Sequence, residues 1–320
     1  MFDCSPVTTT TEYQKVISKN TLESKPDDIK HYQQLIGSLI YAVMGTRPDL
    51  SYVITKLSQY IMNPSAVHLG AAKRVLRFLK ETWDQKLWDR YGQPLVLEGF
   101  ADSDFAGCRD TRHSTSGYIF QLGQPTICWK SWKQRSVSTS THEAEYMALC
   151  MAAKQHIWLK NALNDLGLKD IPSALSCYNN GANDQAQNPQ VGNRSKHIDV
   201  QYHFTRELVE RGELTILRID SDDNPANICT KALKLDAFFR HYNSIMGKDW
   251  EGVLKQYFIR TSSVLLISLF PNLIHLLPCS ECCYPYLFTL MSILYYIWSY
   301  QPNVSCFSYV LLADTRWSYM

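Results

Sequence analysis

The stretch GFADSDFAGCRD, residues 99–110, sets Asp102 and Asp104 two apart at the end of the apolar run PLVLEGF. Residues two apart on a strand share a face. The pair therefore reads either as a polar turn at a strand end or as the start of a carboxylate cluster. Crowded carboxylates need a cation or bonded donors to hold them, and several together form the oxygen-rich donor set that a hard divalent ion takes.

Downstream of this strand, SGYIFQLGQPTICWKSWK (116–133) alternates like a hairpin turning near Gly123. Residues 140–166, STHEAEYMALCMAAKQHIWLKNALNDL, form the most helical stretch, with Ser140 and Glu143 as a capping box and Ala144, Ala148, Met151 and Leu159 as its apolar stripe. SALSCYN (173–179) reads as a short buried strand and KHIDVQYHFTRELVERG (196–212) as an amphipathic helix closed by Gly212. ELTILRI (213–219) is a further strand, and NPANICTKAL (224–233) starts a final helix. Strands and helices in this order predict an α/β fold, a mixed sheet covered by helices.

Upstream, residues 1–30 are polar and read as a linker. From residue 31 helical spacing sets in, with Leu35, Ile36, Leu39, Ile40 and Val43 on one face. Arg47-Pro48-Asp49 interrupts it, a second helix starts at Pro48, and Pro64 ends that helix. In SAVHLGAAKRVLRFLKET (65–82), Ala71, Val75, Phe78 and Leu79 oppose a solvated basic face of Lys73, Arg74, Arg77 and Lys80.

A formal net charge of +2 over 320 residues leaves no global basic field to attract polyanions. Of ten cysteines only Cys279, Cys282 and Cys283 cluster, and no second pair stands at zinc spacing. MFDCSPVTTTTEYQKV has no basic start followed by an apolar core, so the expected location is intracellular, cytoplasm or nucleus, with free thiols. From Thr261 onward only Glu281, Asp314 and Arg316 are charged. The apolar runs there are broken by Pro271, Pro278 and Pro285 and fall short of the ~20 residues of a spanning helix. Residues 251–320 are therefore expected to be an apolar tail outside the fold, with membrane attachment as a minor reading.

The blocks ADSDFAGCRDTRHSTSGYIFQLG, WKSWKQRSVSTSTHEAEYMAL, NRSKHIDVQYHF and DNPANICTKAL resemble the ribonuclease H domain that ends the Pol polyproteins of copia-type retrotransposons. YQQLIGSLIYAVMGTRPDLSYVITKLSQYIMNPSAVHLGAAKRVLRFLKET is similar to the connection segment joining that domain to the reverse transcriptase. The resemblance runs from about Tyr32 to Gly247. The polymerase's aromatic-x-Asp-Asp signature is missing, since the Asp pairs at 27–28 and 222–223 lack its hydrophobic strand. The implied organisation is a helical remnant over 31–92 and a ribonuclease H-like domain over 93–250. Family membership further implies a mixed five-stranded sheet and four acids holding two Mg2+ ions, which hydrolyse the RNA strand of RNA–DNA hybrids.

Carried over residue by residue, the resemblance assigns the first acid to Asp102, with Asp104 as the near alternative. It assigns the second to Glu145, because the capping box accounts for Glu143. The third acid belongs in a Cys-Asp-Asn block, where this chain reads SCYNN and has Tyr178. The fourth belongs in Ala-Asp-Ile-Phe-Thr-Lys, where ANICTK has Asn227. A phenol with a reference pKa of about 10 brings no charge at neutral pH, and an amide brings an oxygen without charge. Asp220, Asp222 and Asp223 are nearby substitutes if the loop bends back.

Other patterns are weaker. Trp129 and Trp132 interleave with Lys130, Lys133 and Arg135, a pattern that suits a nucleic-acid backbone or, equally, a half-buried hairpin. His197 and His203 stand six apart, not the four of a shared helical metal face, and Ser114, Thr115 and Ser116 lack a positioned base. The expectation is a Pol fragment with an impaired ribonuclease H-like domain, with RNA–DNA hybrid as partner and no small-molecule substrate. A reverse transcriptase palm on another chain is a further implied partner. The alternative is an active Mg2+-dependent enzyme with a neighbouring Asp compensating.

Overall fold

Five strands lie in the order β3-β2-β1-β4-β5: β1 Leu97–Asp104, β2 Thr115–Leu122, β3 Thr126–Lys133, β4 Ser173–Cys177 and β5 Ile216–Arg218. In this computed structural model the described residues are 4–15, 17–90, 94–178, 199–246 and 256–258, with 88–90, 199–202 and 256–258 described by backbone alone. The tail read over 251–320, apart from 256–258, lies outside them, as do His197 and the Asn179-Asn180-Gly181 turn. Strands β1, β2 and β3 form an antiparallel meander, whereas β4 runs parallel to β1 and β5 parallel to β4. This is the mixed five-stranded sheet that the residue blocks imply. β2 is buried along its whole length, as a strand covered on both faces must be.

Helices account for the burial. α1 (Pro26–Gly45), α2 (Ser51–Ser58), α3 (Ala66–Glu81) and α6 (Leu235–Met246) share a single apolar cluster. It contains Tyr32, Ile36, Leu39, Leu57, Val75 and Phe78 from the N-terminal helices. Ile119 of β2 and Phe238, Tyr242 and Ile245 of α6 complete it, so the N-terminal helices and the sheet are packed as one core. α4 (Thr141–Asp165) lies on the other face, where the Tyr118 hydroxyl reaches Gln155 at 3.3 Å and Phe120 packs against His156. α5 (Asp199–Glu210) runs beside α4, with the Lys154 ammonium 5.4 Å from the Phe204 ring. The end of α4 from Trp158, with the loop to Ile171, belongs to a second compact unit. There the Leu168 N–H closes the helix on Leu163 O at 3.0 Å.

Four local differences from the sequence reading have physical causes. α1 begins at Pro26 inside the stretch read as linker, because Pro26 suits a first helical position and Asp27 and Asp28 suit the positive end of the helix dipole. The residues before it run along α3, where Arg77 Nε donates to Ser5 O at 2.6 Å and Lys80 Nζ to Cys4 O at 2.8 Å. Much of the basic face of α3 is thus engaged in satisfying backbone carbonyls that no ladder serves. Met151, expected in the apolar stripe of α4, is exposed, while Glu145, Leu149 and Ala152 are buried. Finally, NPANIC forms a 3-10 turn, Pro225–Cys229, and the last helix starts only at Leu235. The amides of Thr230 and Lys231 both converge on Asn227 O at 3.2 Å and close the turn.

A candidate acid site at the end of the central strand

Asp102 stands near the end of β1 with only 3 % of its surface exposed. Its neighbour across the antiparallel pair is Gly117. A Cβ on Gly117 would lie 2.6 Å from Cys229 Cβ and 3.0 Å from Thr230 Cγ2, so only a glycine lets the 3-10 turn settle against β2. The turn is held to β1 as well, by Asn224 Nδ2 donating to Ala101 O at 2.8 Å. These two contacts bring Thr230 and Lys231 to Asp102. The Thr230 hydroxyl donates to Asp102 Oδ2, and Lys231 Nζ lies 3.4 Å from the same oxygen.

Glu145 approaches from the first turns of α4. Ser140 caps this helix by accepting the Glu143 N–H at 3.1 Å, while the Glu143 carboxylate reaches back to the Thr139 N–H at 2.8 Å. Glu143 is thereby used up as a cap, which leaves Glu145 for the corner. A buried glutamine sets the height of the helix. Gln134 Nε2 donates to Ser116 Oγ at 2.8 Å and to Ala144 O at 2.9 Å, and its Oε1 accepts from Ser138. Burial first, and then repulsion from Asp102, push the Glu145 carboxyl up to about 9, against the pull of Lys231 and of the Ser103 N–H. Its Oε2 is buried with no hydrogen-bond partner. Burial likewise raises Asp104, with Lys231 and Lys56 opposing and Asp102 adding to the rise. Asp102, Asp104 and Glu145 therefore share one electrostatic neighbourhood.

The two substituted positions reach the same corner by different routes. Ala101 pairs with Cys177 at the end of the β1–β4 ladder, so Tyr178 continues β4 one residue further, level with Asp102. Its side chain is 45 % exposed. Asn227 sits in the turn, buried, with Nδ2 donating to Ser221 O and Oδ1 left without a partner.

This donor set does not fit a pair of divalent ions. Mg2+ requires charge-compensating oxygens around it, but one oxygen of Asp102 already receives a hydroxyl proton and an ammonium. Tyr178 and Asn227 contribute no charge. Among the described residues no three His, Cys, Asp or Glu side chains stand together as a metal site. Asp220 does not fill the gap, since it is exposed and faces Arg218 at 3.9 Å.

The basic hairpin residues divide between the two faces of the sheet. Lys130 lies on the Tyr118 side of β3 and Lys133 on the opposite side, as strand alternation requires, with Arg135 exposed beyond the strand end. Trp129 Nε1 donates to Val43 O at 2.9 Å, and Trp132 packs against Tyr118 with ring centroids 5.6 Å apart. Both tryptophans serve packing, while Lys130 and Lys133 project from opposite faces of the sheet. His203 lies on α5. The residues that sequence reasoning passed over are Gln134, Asn224, Thr230 and Lys231. The last two stand inside the ANICTK block, where attention to the missing acid hid the hydroxyl and ammonium beside it.

No family model matches the chain. It is 37% identical over 243 residues to the retrovirus-related Pol polyprotein from transposon TNT 1-94 of Nicotiana tabacum, a match covering 74% of this chain and 18% of that protein. It is 40% identical over 223 residues to the corresponding polyprotein from transposon RE2 of Arabidopsis thaliana, covering 69% of this chain and 15% of the relative. The chain thus spans less than a fifth of the length of these curated relatives. Among solved structures, LC11-RNase H1 in complex with an RNA/DNA hybrid aligns at 16% identity over 42% of this chain and 93% of that one, with a TM-score of 0.33.

Proposed function

The chain belongs to the Pol polyproteins of copia-type retrotransposons, and on that premise we propose that residues 93–250 are a ribonuclease H-type domain whose hydrolytic site has decayed. Asp102 and Glu145 are the two acids that remain of a set of four, and Tyr178 and Asn227 occupy the places of the other two. The helical region over 31–92 is the remnant of the connection to the reverse transcriptase. RNA–DNA hybrid is the substrate class, and Mg2+ the ion, that the resemblance to ribonuclease H implies for the undecayed site.

One observation carries this reading. Tyr178 continues β4 to the level of Asp102, and the turn bearing Asn227 is bonded to β1 at Ala101 and Asp102. This proximity to Asp102 supports the reading that both substitutions fall within the site. Loss of two carboxylates lowers the formal charge available from about −4 to about −2, which removes much of the attraction that holds paired ions. Phosphate contacts by Lys and Arg do not depend on those ions, so weak hybrid binding is the expected residue of function.

Cleavage of a labelled RNA–DNA hybrid by the full chain at millimolar Mg2+ tests the proposal. The expected result is no cleavage above background. Robust cleavage that Asp102→Asn abolishes would instead establish the active reading, with Asp104 the nearest compensating acid by virtue of sharing the field of Asp102 and Lys231. Among the described residues no helix is long and apolar enough to cross a bilayer, and the tail on which the membrane reading rests lies outside them apart from 256–258.

A further inference from the structure

We propose that Lys231 is a resident counter-ion, its ammonium balancing the carboxylates of the acid corner in the role that divalent ions fill where all four acids are present. The inference rests on the decay of the site argued above and adds what balances the charge that remains. The Lys231 ammonium lies 3.4 Å from Asp102 Oδ2, with the lysine side chain 33% exposed and that of the aspartate only 4%. A carboxylate this buried needs an opposite charge and hydrogen-bond donors. Thr230 supplies a hydroxyl donor and Lys231 the charge, both on the same oxygen.

The placement is built and not incidental. Asn227 O collects the amides of Thr230 and Lys231, and the missing Cβ of Gly117 allows the turn to lie on β2. The ammonium therefore starts from a fixed backbone position beside the strand end. Its reach extends past Asp102, because it also draws down the carboxyls of Asp104 and Glu145. On the far side is His241 of α6, whose imidazole burial holds below its usual range, with Arg240 and Lys231 acting in the same sense. A neutral imidazole does not compete for the carboxylates. Among the described residues, Lys231 is the cation in ion-pair distance of Asp102.

Substituting the lysine should expose the charge it balances. Melting temperatures of the full chain would be compared in EDTA and in millimolar MgCl2 for wild type, Lys231→Gln, Lys231→Arg and the double variant Asp102→Asn/Lys231→Gln. Wild type should melt at one temperature in both solutions. Lys231→Gln should melt several degrees lower in EDTA, because removing one partner leaves a buried charge uncompensated, and Mg2+ should raise its melting point towards that of wild type. Lys231→Arg should behave as wild type. The double variant, with the buried Asp102 charge removed together with its partner, should regain most of the loss in EDTA, a coupling that distant or unrelated effects do not produce.

The inference is overturned if Lys231→Gln melts like wild type in EDTA, if Mg2+ leaves it where EDTA does, or if the double variant recovers nothing. Should Lys231→Gln fail to fold, folding of the double variant supports the pairing and its failure refutes it. A wild-type melting point that rises with Mg2+, together with hybrid cleavage, would mean that the decay itself is misread. An unresponsive wild type with an unresponsive Lys231→Gln removes only the counter-ion.

Discussion

Two buried ionic corners in this chain are finished to different degrees. Between α1 and α2, where Pro48–Leu50 form a 3-10 turn, Arg47 grips Asp49 with two bonds, Nε to Oδ1 at 2.9 Å and a terminal nitrogen to Oδ2 at 2.7 Å. Thr82 accepts two further guanidinium bonds, at 2.8 and 3.3 Å, and Phe78 lies under the guanidinium carbon at 5.4 Å. At the end of β1, by contrast, Asp102 has donors on one oxygen, while Glu145 Oε2 and Asn227 Oδ1 are buried without partners. A structural ion pair closes on itself, since planar Arg and carboxylate match edge to edge. A site shaped to receive something from outside keeps acceptors free. On the proposed reading, the orphaned oxygens beside the crowded carboxylate are the trace of a former function, whereas the closed bidentate pair serves architecture.

The contrast breaks most visibly at the closed corner. Asp49→Ala should lower unfolding free energy by about 3–5 kcal/mol, because Arg47 would be left buried and unpaired. Urea denaturation measures it, and a loss under ~1 kcal/mol would show that Arg47 finds water or another acceptor. Gly117→Ala should come next, at about 1–3 kcal/mol, since its methyl would meet Cys229 Cβ at 2.6 Å and Cys229 backbone carbon at 3.2 Å. An unchanged denaturation midpoint would mean that the turn is not pressed on β2. Ser65→Ala should cost about 1 kcal/mol by removing the N-cap of α3, where Ser65 and His68 form a capping box. Both circular dichroism at the helix band and the midpoint report it. Tyr178→Phe should have the smallest effect, within ~0.5 kcal/mol, as the phenol stands on a 45 % exposed side chain. A larger loss would give the hydroxyl a structural part that the open-corner reading denies it.

How far sequence alone reaches follows the same division. Periodicity and caps are local, so the hairpin, the capped helix with Glu143 and Glu145, and a strand within SALSCYN are legible from residue spacing. Asp102 could be singled out because an acid at the end of an apolar strand is out of place without a cation. The start of the last helix was not legible, because NPANIC satisfies the rules for a helix N-terminus and only the convergence of two amides on Asn227 O stops it as a turn. Nor could the split of Lys130 from Lys133 be seen until strand register fixed which face each takes. Lys231 escaped notice for a physical reason. Its pairing with Asp102 joins residues 129 positions apart and depends on a glycine in a third segment. Such contacts leave no local pattern.

The central claim is that Tyr178 and Asn227 stand where two charges were lost, and restoring the charges tests it most directly. Cleavage of labelled RNA–DNA hybrid at millimolar Mg2+ would be followed for Tyr178→Asp, Asn227→Asp and the double substitution. Each single change should leave the protein inactive, because groups that act as a unit contribute far from additively. The double substitution should restore Mg2+-dependent hydrolysis that Asp102→Asn or EDTA abolishes. A double variant that folds but neither cleaves nor responds to Mg2+ would contradict the assignment of these two positions to the missing acids.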